Sequence, residues 1–132
     1  MSVGLLLVSH SARLAEGLRE LVEQVVQGRV RIAVAAGSED GGLGTSAVAI
    51  SAAVESMAGP DGVLVLMDLG SAVLSAETAL ELLDPAVRER VRMADAPFVE
   101  GAVAAAVEAS LDSGLDAVLA TAVAARGQGK LG

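Results

Sequence analysis

The sequence predicts an α/β fold: a doubly wound, mostly parallel four-stranded sheet with helices on both faces. Three observations lead there. Four short apolar runs, Val3–Val8, Val30–Ala35, Val63–Met67 and Val91–Ala94, recur with centres about 30 residues apart, the length of a strand–helix–strand unit. The first and third runs are apolar without interruption, as strands covered on both faces must be. Between the runs, the apolar period changes to that of a helix. Such alternation builds a layered parallel sheet with right-handed crossovers.

Val3–Val8 (VGLLLV) is the first strand. Leu14, Leu18, Leu21, Val22 and Val25 follow at i, i+4, i+7, i+8 and i+11, marking the core face of an amphipathic helix that ends near Gly28. Val30–Ala35 (VRIAVA) is the second strand, and a glycine-rich stretch comes after it. Thr45 is placed to cap a helix running to about Met57, which Gly59-Pro60 stops. After the third strand, Ser71 or a neighbour opens a helix carrying Val73, Leu74, Leu80 and Leu83. Asp84-Pro85 has the signature of a short extra turn. Beyond the fourth strand and Ala96-Pro97, a helix is expected from about Phe98 to Leu111. A last helix then carries Leu115, Val118, Leu119, Ala122 and Val123. One domain is expected over residues 1–126, and the tail 127–132 (GQGKLG) reads as flexible or as the start of a linker.

Composition narrows the chemistry. Mean hydropathy is high at +0.60, yet the longest stretch without a charge, Gly41–Val54, has 14 residues and is broken by Gly, Ser and Thr. A membrane span needs roughly 20 apolar residues, so none is expected. No basic region precedes the first apolar run, which argues against a signal peptide, and a cytoplasmic protein is expected. Zero cysteines exclude disulfides, thiolate metal sites and cysteine nucleophiles. With one histidine, no metal and no cofactor are expected. Nine basic against seventeen acidic residues, with Phe98 the single aromatic, argue against nucleic-acid binding.

In a doubly wound sheet, ligands bind beyond the carboxyl ends of the strands, where strand order reverses. The four runs deliver Ser9-His10-Ser11 with Arg13 close behind, the loop Gly37–Ser46, Asp68-Leu69-Gly70-Ser71, and Asp95-Ala96-Pro97-Phe98. His10 stands out. It follows a buried strand, is flanked by two serines, and lies at a helix start, where amide N–H groups favour an anion; a packed or capping histidine is the plainer reading. Asp68 is its natural partner, since a carboxylate accepting one ring N–H leaves the other nitrogen free to attack. Asp68 equally suits a helix cap or a turn before Gly70. The Gly37–Thr45 loop lacks both the lysine of a P-loop and a GxGxxG fingerprint, so a phosphate cradle competes there with a plain turn. Thr45 and Ser71 are N-caps that also suit a phosphoryl oxygen. Arg13 suits a phosphate or open surface. A Ser71–His10–Asp68 hydrolase is the other chemistry these residues allow, although the G-x-S-x-G elbow is missing.

Four stretches, VSHSARLAEG (Val8–Gly17), AAGSEDGGLGTSA (Ala35–Ala47), MDLGSAVLSAETALELL (Met67–Leu83) and ADAPFVEG (Ala94–Gly101), together resemble the phosphotransfer subunit of phosphoenolpyruvate-dependent dihydroxyacetone kinase. That family has the fold of mannose-family enzyme IIA domains. The resemblance runs over essentially the whole chain and implies sheet order 2-1-3-4. It further implies that His10 is phosphorylated by the phosphocarrier protein HPr and that Asp68 holds the ring. Gly44, Thr45, Gly70 and Ser71 match positions near the phosphate, and Ser11 and Arg13 join them as candidate contacts. The implied acceptor is ADP on a separate nucleotide subunit, which drives dihydroxyacetone phosphorylation, and the implied state is a homodimer. Mannose-type sugar-transporter IIA domains are the nearest competitor. They usually carry glycine after the histidine and a GGSP-like stretch after the third strand, where this chain has Ser11 and Leu69–Val73. A non-catalytic anion-binding regulatory module of the same fold is the remaining alternative.

Overall fold

The four apolar runs pair into one all-parallel sheet in the order β2-β1-β3-β4, in agreement with the expected topology. A computed structural model describes residues 2–57 and 59–131. The strands are β1 (Gly4–Ser9), β2 (Ile32–Ala36), β3 (Val63–Met67) and β4 (Val91–Met93). Every residue of the two central strands, β1 and β3, is buried, because helices cover both faces.

Helices α1 (Ala12–Val26), α5 (Phe98–Ser110) and α6 (Leu115–Ala124) lie on one face, packed against Leu5, Leu7, Leu64 and Leu66. On the other face, α2 (Ala47–Met57) and α3 (Gly70–Glu81) cover Leu6, Val8, Val63, Val65 and Met67. The single turn α4 (Pro85–Arg88) leads into β4, as Asp84-Pro85 foretold. Alanine sets how closely these layers approach. The inward faces of α3 (Ala72, Ala76, Ala79) and α5 (Ala102, Ala105, Ala106, Ala109) are built almost wholly of it. At Gly101 even a methyl group is too much, since a Cβ there would lie 2.9 Å from the Cβ of Ala96.

That same close packing moves several faces from where the large apolar residues put them. On α1 the buried residues are Ala15, Leu18, Val22 and Val26, whereas Leu14, Leu21 and Val25 are about half exposed. The helix is rotated so that the small Ala15 meets the sheet. On α3, Leu74 points outward at 66% exposure for the same reason. The cap of α2 is also displaced by one residue. The Ser46 hydroxyl accepts from the Ala49 N–H, and its carbonyl accepts from the Ile50 N–H, while the Thr45 hydroxyl bonds that of Ser75 on α3 at 2.5 Å. Beyond α6, residues 125–127 form a short 3-10 turn, and Lys130 pairs with Glu100. No helix among the described residues is long and apolar enough to cross a membrane.

The register decides what meets at the strand ends. Val8 of β1 sits opposite Met67 of β3, so Ser9 and His10 emerge alongside Asp68. Strand order reverses between these two strands, because β2 lies to one side of β1 and β3 to the other.

Candidate functional site

His10 leaves the end of β1 with its imidazole 24% exposed, and the Asp68 side chain behind it is 8% exposed. The ring Nδ1 lies 2.9 Å from Asp68 Oδ1. An ionised carboxylate can only accept, so Nδ1 carries the proton and the Nε2 lone pair faces outward.

Asp68 is held from both sides. Oδ2 accepts from the Ser9 hydroxyl at 2.9 Å and from the His10 backbone N–H at 3.0 Å. Oδ1 accepts from His10 Nδ1 and, at 2.7 Å, from the Leu69 N–H. Burial pushes the carboxyl upward. The four donors, led by the His10 N–H, outweigh that and hold it below its ordinary value. The sequence allowed Asp68 to be a ring partner or a turn former, and its carboxylate is bonded to the ring Nδ1 and to the adjacent Leu69 N–H.

The Ser71 hydroxyl contacts Nε2 directly. Ser71 is the second residue of α3, whose N-cap position, Leu69, supplies no side-chain hydrogen bond. The Gly70 and Ser71 amides have no acceptor among the described residues. Nε2 therefore faces the positive end of a helix whose first N–H groups are uncommitted, an arrangement that suits an anion. Ser71, His10 and Asp68 also stand in hydrolase order, but Ser71 sits inside a helix that begins at Gly70, not on a strained elbow.

The other predicted residues make no hydrogen bond to the ring among the described residues. Gly44 donates its N–H to the His10 carbonyl at 2.9 Å, so that amide is occupied. Its φ of +141 and a would-be Cβ 3.2 Å from Ser38 Cβ explain the glycine. Thr45 is tied to Ser75, as above. The Ser11 hydroxyl caps α1 by accepting from Leu14 N–H, and its own N–H is given to Ser9. Arg13 is exposed on the first turn of α1 and makes no ion pair among the described residues. The loop 37–46 closes on itself: Ser38 N–H bonds Gly42 O, Gly41 N–H bonds Ser38 O, and Gly42 N–H bonds Asp40 Oδ1. These three amides are spent within the loop, which is folded as a structured turn. Ser9 was missed as a member of the site. The available cue was a hydroxyl in the buried row Leu5, Leu7, Ser9, where an unpaired polar group is costly. A cleft of about 300 Å3, lined in part by Met67, Leu69, Val73, Met93 and Asp95, opens beside Asp68 between the ends of β3 and β4.

Comparison with known proteins gives a consistent set of relatives. Residues 4–119 match the family EIIA-man, described as PTS system fructose IIA component. The chain is 50% identical over 120 residues to a protein of Escherichia coli (strain K12) named PEP-dependent dihydroxyacetone kinase, phosphoryl donor subunit DhaM. It is 48% identical over 124 residues to a protein of that name from Klebsiella michiganensis. These alignments take in 89% and 92% of this chain but 25% and 26% of the relatives, so the chain spans about a quarter of their length. A protein of Listeria innocua named PEP-dependent dihydroxyacetone kinase 2, phosphoryl donor subunit DhaM, is 41% identical over 117 residues, covering 89% of this chain and 94% of that one. A crystal structure described as that of a protein of unknown function, EF1359, superposes with a TM-score of 0.85 at 36% identity, covering 93% and 94% of the two chains.

Proposed function

The chain belongs to the EIIA-man family, and from that membership we propose that it is a phosphohistidine relay serving a dihydroxyacetone kinase. His10 takes a phosphoryl group from the phosphocarrier protein HPr and passes it to ADP bound on the kinase's nucleotide subunit. The observation that carries this reading is the asymmetry of the ring, with Nδ1 held by Asp68 and Nε2 facing the uncapped start of α3. The DhaM names of the relatives support the assignment to this kinase. The protein works in the cytoplasm as a homodimer.

In the first step, the Nε2 lone pair attacks phosphorus, the donor's P–N bond breaks, and its electron pair returns to the donor ring. Nδ1 keeps its proton, and the positive charge spread over the phosphorylated ring is balanced by the Asp68 carboxylate. The Ser71 hydroxyl turns from Nε2 to a phosphoryl oxygen, and the Gly70 and Ser71 amides take the others. Arg13 contributes a cation from the rim. Ser11, Gly44 and Thr45 act behind these groups by fixing α1, the His10 carbonyl and α3. In the second step, the Nε2–P bond breaks toward the ADP oxygen, and neutral imidazole leaves.

The test is incubation with phosphoenolpyruvate, enzyme I and HPr. One acid-labile, base-stable phosphate is expected on His10, and His10→Ala should carry none. Labelling of His10→Ala would refute the relay. Adding the ADP-loaded nucleotide subunit should discharge the phosphoprotein, whereas a sugar-transporter IIA domain would keep its phosphate.

A further inference from the structure

We propose that Ser9 is a positioning residue for phosphoryl transfer, its hydroxyl fixing the Asp68 carboxylate so that the His10 proton stays on Nδ1. The proposal rests on the relay reading of His10. Ser9 is the last residue of β1 and is 0% exposed. Its Oγ receives the Ser11 N–H at 3.1 Å and lies 2.9 Å from Asp68 Oδ2. An amide can only donate, so Oγ accepts from Ser11 and its single hydrogen points at Asp68. The direction of this bond is therefore set by the cap of α1.

The carboxylate has two donors on each oxygen, His10 N–H and Ser9 on Oδ2, Leu69 N–H and His10 Nδ1 on Oδ1. Two of these four are main-chain groups and a third is the reacting ring. Ser9 is the remaining side-chain donor, the one whose removal leaves the others in place. Without it, Oδ2 keeps only the His10 N–H, and the carboxylate is held less firmly against rotation about its Cβ–Cγ bond. The line from Oδ1 to Nδ1 is then less strictly kept.

The proton's place decides the chemistry in both directions. When Nε2 attacks, a proton on Nδ1 leaves the lone pair where phosphorus must bond. When the Nε2–P bond breaks toward the acceptor, the electron pair returns to Nε2 and the ring departs as neutral imidazole, because Nδ1 has kept its proton. A ring that had lost it would depart as an anion, a far poorer leaving group. A merely structural Ser9 would stabilise the β1–α1 junction and leave the ring tautomer alone.

The experiment is nitrogen NMR of the protein labelled at its single histidine, together with single-turnover phosphorylation by phospho-HPr. In the unmodified protein, Nδ1 should be protonated and Nε2 not. Ser9→Ala should bring a population with the proton on Nε2 and slow transfer about tenfold, the equivalent of one buried hydrogen bond. Ser9→Cys, which keeps the side chain's shape with a somewhat larger atom and replaces a strong donor with a weak one, should shift both readouts the same way. A ring spectrum unchanged in Ser9→Ala and Ser9→Cys overturns the proposal whatever the rate does, as does an Nε2–H tautomer in the unmodified protein. The spectrum reads Ser9 without any phosphoryl donor. Failure of His10 to label in the unmodified protein would instead strike the relay reading.

Discussion

Asp68→Asn is the sharpest perturbation of this site, because it keeps the shape and changes which atoms accept. In the native site two donors converge on each carboxylate oxygen, at 2.9 and 3.0 Å on Oδ2 and at 2.9 and 2.7 Å on Oδ1. Asparagine offers one oxygen and one NH2. With the NH2 at the Oδ2 position, it meets the His10 backbone N–H, which cannot turn away. With the NH2 at the Oδ1 position, it meets the Leu69 N–H and also drives the ring proton to Nε2. One amide loses its acceptor either way, at about 1–3 kcal/mol, and Tm should drop by roughly 4 °C per kcal/mol. Transfer suffers separately, because a charge-assisted bond of about 1.5–3 kcal/mol no longer balances the phosphorylated ring, a slowing of roughly 10- to 100-fold at 1.36 kcal/mol per decade. The pH dependence follows from the direction of the Asp68 shift. Its folded value lies below the ordinary 3.8, so its stabilisation is present above that pH and is lost as pH falls through the folded value. Asparagine does not titrate, and the stability gap between the two proteins should narrow below about pH 4. Quenched-flow labelling by phospho-HPr and thermal melts across pH would measure both effects. Native rates and native Tm in Asp68→Asn would refute the assignment.

Two further outcomes are expected. Ser71→Ala should still label on His10, because Nε2 is uncovered and not removed, while discharge to the acceptor slows about fivefold for one lost hydrogen bond to phosphate; acid-stable phosphate on Ser71 of the native protein, or abolished labelling in the variant, would refute this. Gly62→Ala should destabilise by about 1–3 kcal/mol without altering labelling of the folded protein, since φ is +92 and the new Cβ would lie 2.7 Å from the Arg90 carbonyl oxygen at the sheet edge opposite His10. An unchanged melt would contradict that.

The sheet was legible because its strands are defined by what they exclude. Val63–Met67 and Val3–Val8 carry no charge and no alternation, and only a doubly covered parallel strand tolerates that. The helix faces were less legible for a reason of scale. Leu14, Leu21 and Leu74 look like core residues because they are large, yet the sheet is approached by Ala15, Ala72 and Ala76. In so alanine-rich a chain the buried stripe is the one that lets two backbones come close, and size points the wrong way. The Thr45 cap failed by one residue because two hydroxyls stand in a row there, and only the cross-helix partner Ser75 distinguishes them.

The site divides along a different line. His10 and Asp68 were legible as side chains of unusual chemistry at the ends of adjacent strands. What surrounds them is mostly main chain: the N–H groups of His10 and Leu69 on the carboxylate, the Gly44 N–H on the His10 carbonyl, and the Gly70 and Ser71 amides beside Nε2. Backbone donors leave no residue type behind for a sequence to display. They are aimed here by the register that sets Val8 against Met67 and by a helix that starts at Gly70 with no capping side chain at Leu69. On the relay reading, a ring that accepts and releases a phosphoryl group is served by main-chain amides, which donate without competing for the group. Ser9, a hydroxyl with both of its hydrogen bonds engaged, is the side chain other than the ring that donates to Asp68.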